Sequence, residues 1–268
     1  NRMAGQNAII REFTATETAG SLNVILSDKT GTITRGILTI KRIFIPGDDE
    51  YYVRGEGYEM EGEVESGGSE VSVKDNPLLA KSILIAGNCN DASVKQKDEE
   101  GDAEPEVAGD PTEVALLVLC KKTCLKQESM FKDIEVLDDL PFNPEKKFRA
   151  SLISYPDESR EMLFVGAPEK ILSLSSGFLT DDGDKKLDDE TSGEIKDKID
   201  ELSNQSMRVI GCAYKTAEKD RREVRADDAE ELVFVGLYGI IDPPREEVKD
   251  AVAKCKDAGI RVIMVTGD

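Results

Sequence analysis

Two short apolar runs, one towards each end of the chain, constrain the fold more than anything between them. The first is LNVIL (Leu22 to Leu26), which stops at Ser27-Asp28. The second is IRVIMV, which stops at Thr266-Gly267-Asp268. Before the second run, Val248, Ala251, Val252 and Cys255 recur at helical spacing, and Gly259 ends the pattern. A helix followed by a strand with a polar tip is half of a βαβ unit. In open α/β sheets ligands bind beyond the carboxyl ends of the strands, and Asp28 and Thr266 both fall there. Both pieces belong to one sheet, yet roughly 200 residues, enough for another domain, lie between them.

The intervening stretch has a different texture. TIKRIFI, EVLDDLPF, RASLISY, EMLFVGA, MRVIGCAYK and ELVFVGLYGII read as strands. PLLAKSILIAGNC, PTEVALLVLCKK, PEKILSLS and EIKDKIDELSNQS read as helices. Grouped strands without regular βα alternation predict an α+β domain with an antiparallel sheet. The expected organisation is an insertion: residues 1–37 and 241–268 form the α/β part, and residues 38–240 form the α+β domain. Two connecting strands between the parts make a natural hinge. Three polar stretches, EGEVESGGSEV, VKQKDEEGDAEPEV and TDDGDKKLDD, read as surface loops.

The formal net charge is -20, and there is no histidine. A phosphate backbone needs a basic footprint, so nucleic acid is not an expected partner. The longest apolar stretch, Leu232 to Ile241, is about half of the ~20 residues that span a bilayer and reads as a buried strand. The chain opens on Asn1, which suggests a piece of something longer, itself soluble. Five irregularly spaced cysteines and no histidine exclude a familiar zinc site and fit reduced, cytosolic thiols.

Behind the first strand stands SDKTGTIT (Ser27 to Thr34). Asp28, on a turn at the strand end, can bind metal or attack phosphorus. Lys29 adds positive charge beside it. Gly31 lets the backbone approach a phosphate closely. Thr30 and Thr32 offer oxygens to magnesium and groups to phosphate. The set suits phosphoryl transfer to Asp28, in which catalysis is mostly positioning and charge neutralisation.

SDKTGTIT resembles the phosphorylation motif of the P-type ATPases, ion pumps with a haloacid-dehalogenase-like core. AGDPTEVAL, PFNPEKKFRASL, GAPE, MRVIGCAY, IDPPR and MVTGD follow in that family's order, so the resemblance covers nearly the whole chain. GDPTE and NCND look most like the calcium-pump branch. The resemblance implies a haloacid-dehalogenase-like (Rossmann-like) phosphorylation domain, residues 1–37 and 241–268, interrupted by a nucleotide-binding domain, residues 38–240. By that resemblance Asp28 is phosphorylated by ATP. Lys29 stands beside it, and Thr30 helps Asp28 hold Mg2+ and the transferred phosphate. Thr266 and Gly267 look like the phosphate-binding pair, with Asp268 supporting them. Asp242 and Arg245 correspond to hinge and nucleotide-side residues.

The same resemblance places a nucleotide pocket. Phe142 is similar to the ring that stacks on adenine, and Glu113 to the acid that faces its amino group. Lys147, Gly166 and Arg208 complete the set. Glu113 also has a purely local reading: DPTE has Asp at the N-cap, Pro at the first helical position and Glu at N3, a capping box. Arg208 opens an otherwise apolar strand, and its donor fork suits a phosphate. One position departs from the family: Val165 stands where Lys-Gly-Ala-Pro-Glu is usual. Weak binding of Mg-ATP is therefore expected.

The implied whole is the cytoplasmic portion of an ATP-driven cation pump, most like a calcium pump, with actuator and transmembrane domains as its partners. Two other readings compete: a soluble phosphatase of the same core fold, and a non-catalytic nucleotide-binding protein. Thr30 counts against the phosphatase, since those enzymes usually carry a second Asp two residues after the nucleophile. A threonine cannot act as a general acid at neutral pH, so the acyl phosphate would persist.

Overall fold

The computed structural model describes residues 20–59, 62–95, 105–124 and 133–266. The chain divides into two units: residues 1–37 with 242–268, and residues 38–241.

The described chain begins with β1 (Val24–Asp28) and then enters the larger unit. There β2 (Thr39–Phe44), β3 (Glu50–Val53), β4 (Val64–Ser66) and β5 (Ser69–Glu70) run as an antiparallel meander. Helix α1 (Pro77–Asn88) is followed by the short antiparallel pair β6 (Ser93–Lys95) and β7 (Glu106–Ala108), then by α2 (Pro111–Cys124). Next come β8 (Glu135–Asn143), β9 (Phe148–Ser154), β10 (Arg160–Gly166), α3 (Pro168–Leu174), β11 (Ser175–Thr180) and β12 (Gly183–Lys186). Helix α4 (Asp189–Asn204) leads to β13 (Arg208–Ala217) and β14 (Leu232–Ile241). The chain closes with α5 (Val248–Asp257) and β15 (Arg261–Val265).

The main sheet runs in the order β5-β4-β3-β2-β14-β13-β10-β9-β8, with β11 and β12 attached at β14. Its described pairs are antiparallel apart from β11 with β14. Period-two alternation sorts its side chains between two cores. Leu163 and Val165 on β10 face α1 and α2, packing with Leu79, Ile83, Leu116 and Leu119. Met162 and Phe164 point the other way, towards Ile171 of α3 and Ile195, Ile199 and Leu202 of α4. An antiparallel sheet with helices on both faces results, which explains why β10 and β13 read as apolar nearly throughout.

Local signals start the helices. Asn76 accepts from the Leu79 amide (2.9 Å) with Pro77 behind it, and Asp188 accepts from the Thr191 amide (2.8 Å). Helices α1 and α2 touch closely: a Cβ at Gly87 would collide with the Cys120 sulfur.

Two of the stretches read as loops contain strands. The first, described from residue 62 on, holds the β4–β5 hairpin, turning through Gly67 and Gly68 at φ 58° and 84°. Thr180–Asp189 holds β12, exposed along its whole length and paired with β11. The outer strands β4, β5 and β12 are two to four residues long and mostly polar, with Val64 their one buried side chain, too few for apolar alternation to show. The third stretch is flanked by the β6–β7 pair, and its middle lies outside the described residues.

In the smaller unit β1 and β15 pair in parallel, from Val24 opposite Arg261 to Asp28 opposite Val265. Helix α5 connects back to β15 through Gly259 at φ 74°. Leu26, Met264 and Val265 are each at least half exposed on this two-stranded sheet.

Candidate functional site

The main sheet carries a cavity of about 390 Å³ against α2. Leu116, Val165 and Ile210 make its walls apolar, and Glu113, Arg149 and Arg208 supply charge. Four of the sequence candidates meet there from four separate segments: Glu113, Phe142, Gly166 and Arg208.

Each arrives for a local reason. Asp110 caps α2 by accepting from the Thr112 amide (2.8 Å), which puts Glu113 in the first turn. Glu113 does not close the capping box. Its carboxylate turns to the Arg149 guanidinium and lies 3.5 Å from the Asp91 amide. Phe142 stands near the end of β8, lines the cavity and is 53% exposed. The turn after it is built by Asn143, which accepts from the Glu145 and Lys146 amides (2.8 and 3.1 Å). Gly166 is demanded by close approach: a Cβ there would strike the Lys147 carbonyl oxygen and lie 2.7 Å from Phe148 Cα. Arg208 opens β13 and donates to the Thr112 hydroxyl (3.1 Å).

Lys147 lies beside this cavity and does not line it. Its side chain is exposed and its backbone is left-handed, φ 61°. Its carbonyl accepts from the Ala167 amide (2.9 Å), which ties the turn to the cavity rim.

Sequence reasoning assigned no role to Arg149, and it is the most connected side chain of the cavity. It stands on β9 in register with Val165 of β10 and is 2% exposed. Its Nη2 donates to both Asp139 oxygens (2.9 and 2.7 Å), and its Nη1 reaches Glu113 and Asp91 (3.3 Å to the latter). Ser151 adds a bond to Asp139 (2.5 Å). Burial and a hydrogen bond with the Asp91 carboxyl push Glu113 above the usual glutamate range, against the pull of Arg149. That same bond, with Arg149, holds Asp91 low. An arginine second in an apolar strand, with acids at Asp91, Glu113 and Asp139, was the available signal, though only the fold reveals that those acids converge.

The second group of candidates is in the smaller unit. Asp28 ends β1, exposed, and Thr266 follows the residue paired with it, so both stand at the carboxyl ends of adjacent parallel strands. Lys29–Ile33 form a wide turn closed by the Thr34 amide on the Lys29 carbonyl (3.0 Å). Gly31 takes φ 73° within it, a left-handed conformation that favours glycine. Asp242 and Arg245 meet this turn and not the cavity. Asp242 receives the Thr34 hydroxyl and the Gly36 amide, and Arg245 donates to the Gly31 carbonyl (3.0 Å). Gly267 and Asp268 lie outside the described residues.

Among the described residues no group of three acidic, cysteine or histidine side chains could hold a metal by itself. Asp28 with the oxygens of Thr30 fits Mg2+ of the kind that takes one or two carboxylates and completes its shell with substrate phosphates and water. No helix among the described residues is long and apolar enough to cross a membrane.

A concave, mostly apolar cavity with a few converging polar groups, against an antiparallel sheet, is the form of a small-molecule site. The family model for the P-type ATPase cytoplasmic domain N matches residues 79–247, and the chain belongs to that family. It is 32% identical over 267 residues to the calcium-transporting ATPase of Bacillus subtilis (strain 168), which covers all of this chain and 29% of that protein. It is 37% identical over 277 residues to the cation-transporting ATPase pma1 of Synechocystis sp., again over the whole chain and 29% of the relative. The sodium/potassium-transporting ATPase subunit alpha-2 of Gallus gallus is 34% identical over 278 residues, all of this chain and 26% of its own length. The chain thus spans less than a third of the relatives it matches.

Proposed function

We propose that the larger unit binds Mg-ATP in the cavity beside α2, and that Asp28 accepts the γ-phosphate as an aspartyl phosphate. The whole would be the cytoplasmic portion of an ATP-driven cation pump. Calcium is the cation that the names of several relatives suggest. The observation that carries the nucleotide reading is Phe142, half exposed at the mouth of a cavity whose wall holds Glu113. A purine stacked on Phe142 would direct its amino group to Glu113. Arg208, with Lys147 at the rim, would meet the phosphates.

The chemistry assigned to Asp28 follows from what surrounds it. Its carboxylate oxygen attacks the γ-phosphorus, the bond to the β–γ bridging oxygen breaks, and ADP leaves. Mg2+ would supply charge neutralisation on the transferred phosphate. Gly31 leaves room for that phosphate, since a Cβ there would meet nothing within 4 Å. Thr30, two residues on, offers no acid for rapid hydrolysis, which supports a lasting phosphoenzyme over a phosphatase. In this reading the smaller unit is the first and last described part of a haloacid-dehalogenase-like domain, and actuator and transmembrane domains are its partners.

Two measurements test it. Calorimetric titration with Mg-ATP should give saturable heat on this chain, and its absence at millimolar nucleotide would remove the cavity assignment. In the complete pump Asp28→Asn should abolish turnover and spare ATP binding. Turnover that survived the substitution would mean that Asp28 is not the nucleophile.

A further inference from the structure

Arg149 is charged yet only 2% exposed, so it offers a ligand almost no surface. Whatever it does for a ligand passes through the side chains it holds. One edge of its planar guanidinium is fixed: Nη2 donates to both Asp139 oxygens (2.9 and 2.7 Å), and the Ser151 hydroxyl steadies the same carboxylate (2.5 Å). That leaves Nη1 aimed at Glu113, with Asp91 at 3.3 Å. Glu113, at the third position of α2, has an ordinary bond available back to the N-cap amide. It forgoes that bond for Arg149 and lines the cavity instead. A carboxylate has about four acceptor sites, so the bond to Arg149 leaves it free to accept from a donor on the cavity side. Burial and the Asp91 carboxyl push Glu113 towards its protonated form, and Arg149 opposes both.

Resting on the nucleotide reading above, we infer that Arg149 is a positioning residue that sets the preference for 6-aminopurines. Anchored on Asp139, it draws Glu113 out of its helix cap and presents it as the acceptor for the exocyclic amine, without touching the nucleotide itself. Val165 fits the same arrangement. It stands directly opposite Arg149 in the strand register and packs with Leu116 of α2. Opposed side chains in antiparallel strands are about 4.5–5.5 Å apart at Cβ, where two like charges repel. A lysine at position 165, usual in the related motif, would crowd Arg149 and compete with it for Glu113. The apolar residue there leaves Glu113 to Arg149.

Titration of the full chain with ATP and with inosine triphosphate, which carries an oxygen in place of the amine, tests this. Wild type should bind ATP roughly tenfold more tightly, the effect of one hydrogen bond to a charged acceptor. Lysine keeps the charge but not the fork, so it cannot span Asp139 and Glu113 together. Arg149→Lys should therefore weaken ATP roughly tenfold and leave inosine triphosphate nearly unchanged, which removes the preference. A residue that only held the fold together would weaken both nucleotides alike, so an unchanged ratio in Arg149→Lys overturns the inference. Should that variant lose cooperative melting, Asp139→Asn decides. It loosens the anchor at a residue outside the cavity lining and should lower the ratio roughly threefold or more, because Arg149 can then follow Glu113 back towards the helix cap. An unchanged ratio there overturns the inference as well. So does wild type that binds both nucleotides equally, since Glu113 would then not meet the base. Wild type that binds neither refutes the nucleotide reading itself, a distinct result.

Discussion

The Thr34 hydroxyl donates to the Asp242 carboxylate at 2.5 Å across 208 positions of chain. The same carboxylate accepts from the Gly36 amide (2.9 Å), and the Thr34 oxygen accepts from the Gly31 amide (3.2 Å). One aspartate thus clasps the outgoing and returning segments of the smaller unit, and through Thr34 it braces the turn that follows Asp28. Thr34→Val removes the clasp while keeping the shape of the side chain. A hydrogen bond to a charged group is worth about 1.5–3 kcal/mol, so local opening of the turn should become easier by that order. Hydrogen exchange at the Gly31 and Gly36 amides should accelerate at least tenfold, and unchanged exchange at both would contradict the role given to Asp242.

Phe142 is half exposed, so its truncation should leave the fold's melting temperature nearly unaltered. Ligand binding should suffer instead. Stacking an aromatic on a base contributes about 1–3 kcal/mol, so Phe142→Ala should weaken ATP roughly tenfold or more. Titration calorimetry alongside a melting curve separates the two effects. A large drop in stability with unchanged affinity would show that the ring is packing, not platform.

Gly166 permits β9 and β10 to approach at the cavity rim. Gly166→Ala drives a methyl into the Lys147 carbonyl and the Phe148 backbone, neither of which is a flexible side-chain end. Overpacking of this kind costs about 1–3 kcal/mol, and it displaces the turn that carries Phe142. Urea denaturation should show the loss, and ATP affinity should fall with it. A variant with wild-type stability would mean that the sheet yields at this point.

Glu113 should confer a pH dependence on ATP binding. Burial comes first among the causes that raise its pKa, followed by the bond with Asp91. The residue therefore takes up its proton at a higher pH than the ~4.3 of an ordinary glutamate. The ionised form is the better acceptor for an amine, so the interaction is complete above the raised pKa and is lost as pH falls through it. Titrations between pH 7.5 and 5 should show ATP affinity declining more steeply than that of inosine triphosphate, which has no exocyclic amine. Glu113→Gln should flatten the difference. Parallel pH profiles for the two nucleotides in wild type would argue that Glu113 does not meet the base.

Much of the larger unit could be read from residue order. Asn76-Pro77 and Asp110-Pro111 start helices through bonds within a single turn, and the apolar runs of β10, β13 and β14 announce strands buried on both faces. Phe142 and Gly166 could be singled out because a motif surrounds each. The hairpins at Gly67-Gly68 and Gly183 could not, since β4, β5 and β12 are too short and too polar to carry a period.

Sequence order alone settled where the helices begin, which strands are buried, and that Asp28 ends a strand, because those properties depend on neighbours a few bonds away. Only the folded sheet settled that Arg149 is buried, that it stands beside Val165, and that Glu113 leaves its capping box to meet it. It also took the tertiary structure to bring Asp242 to Thr34. The reason is physical. A charge in the interior is tolerated only with partners, and the partners of Arg149 come from α2, β8 and the segment after α1, which chain connectivity does not bring together.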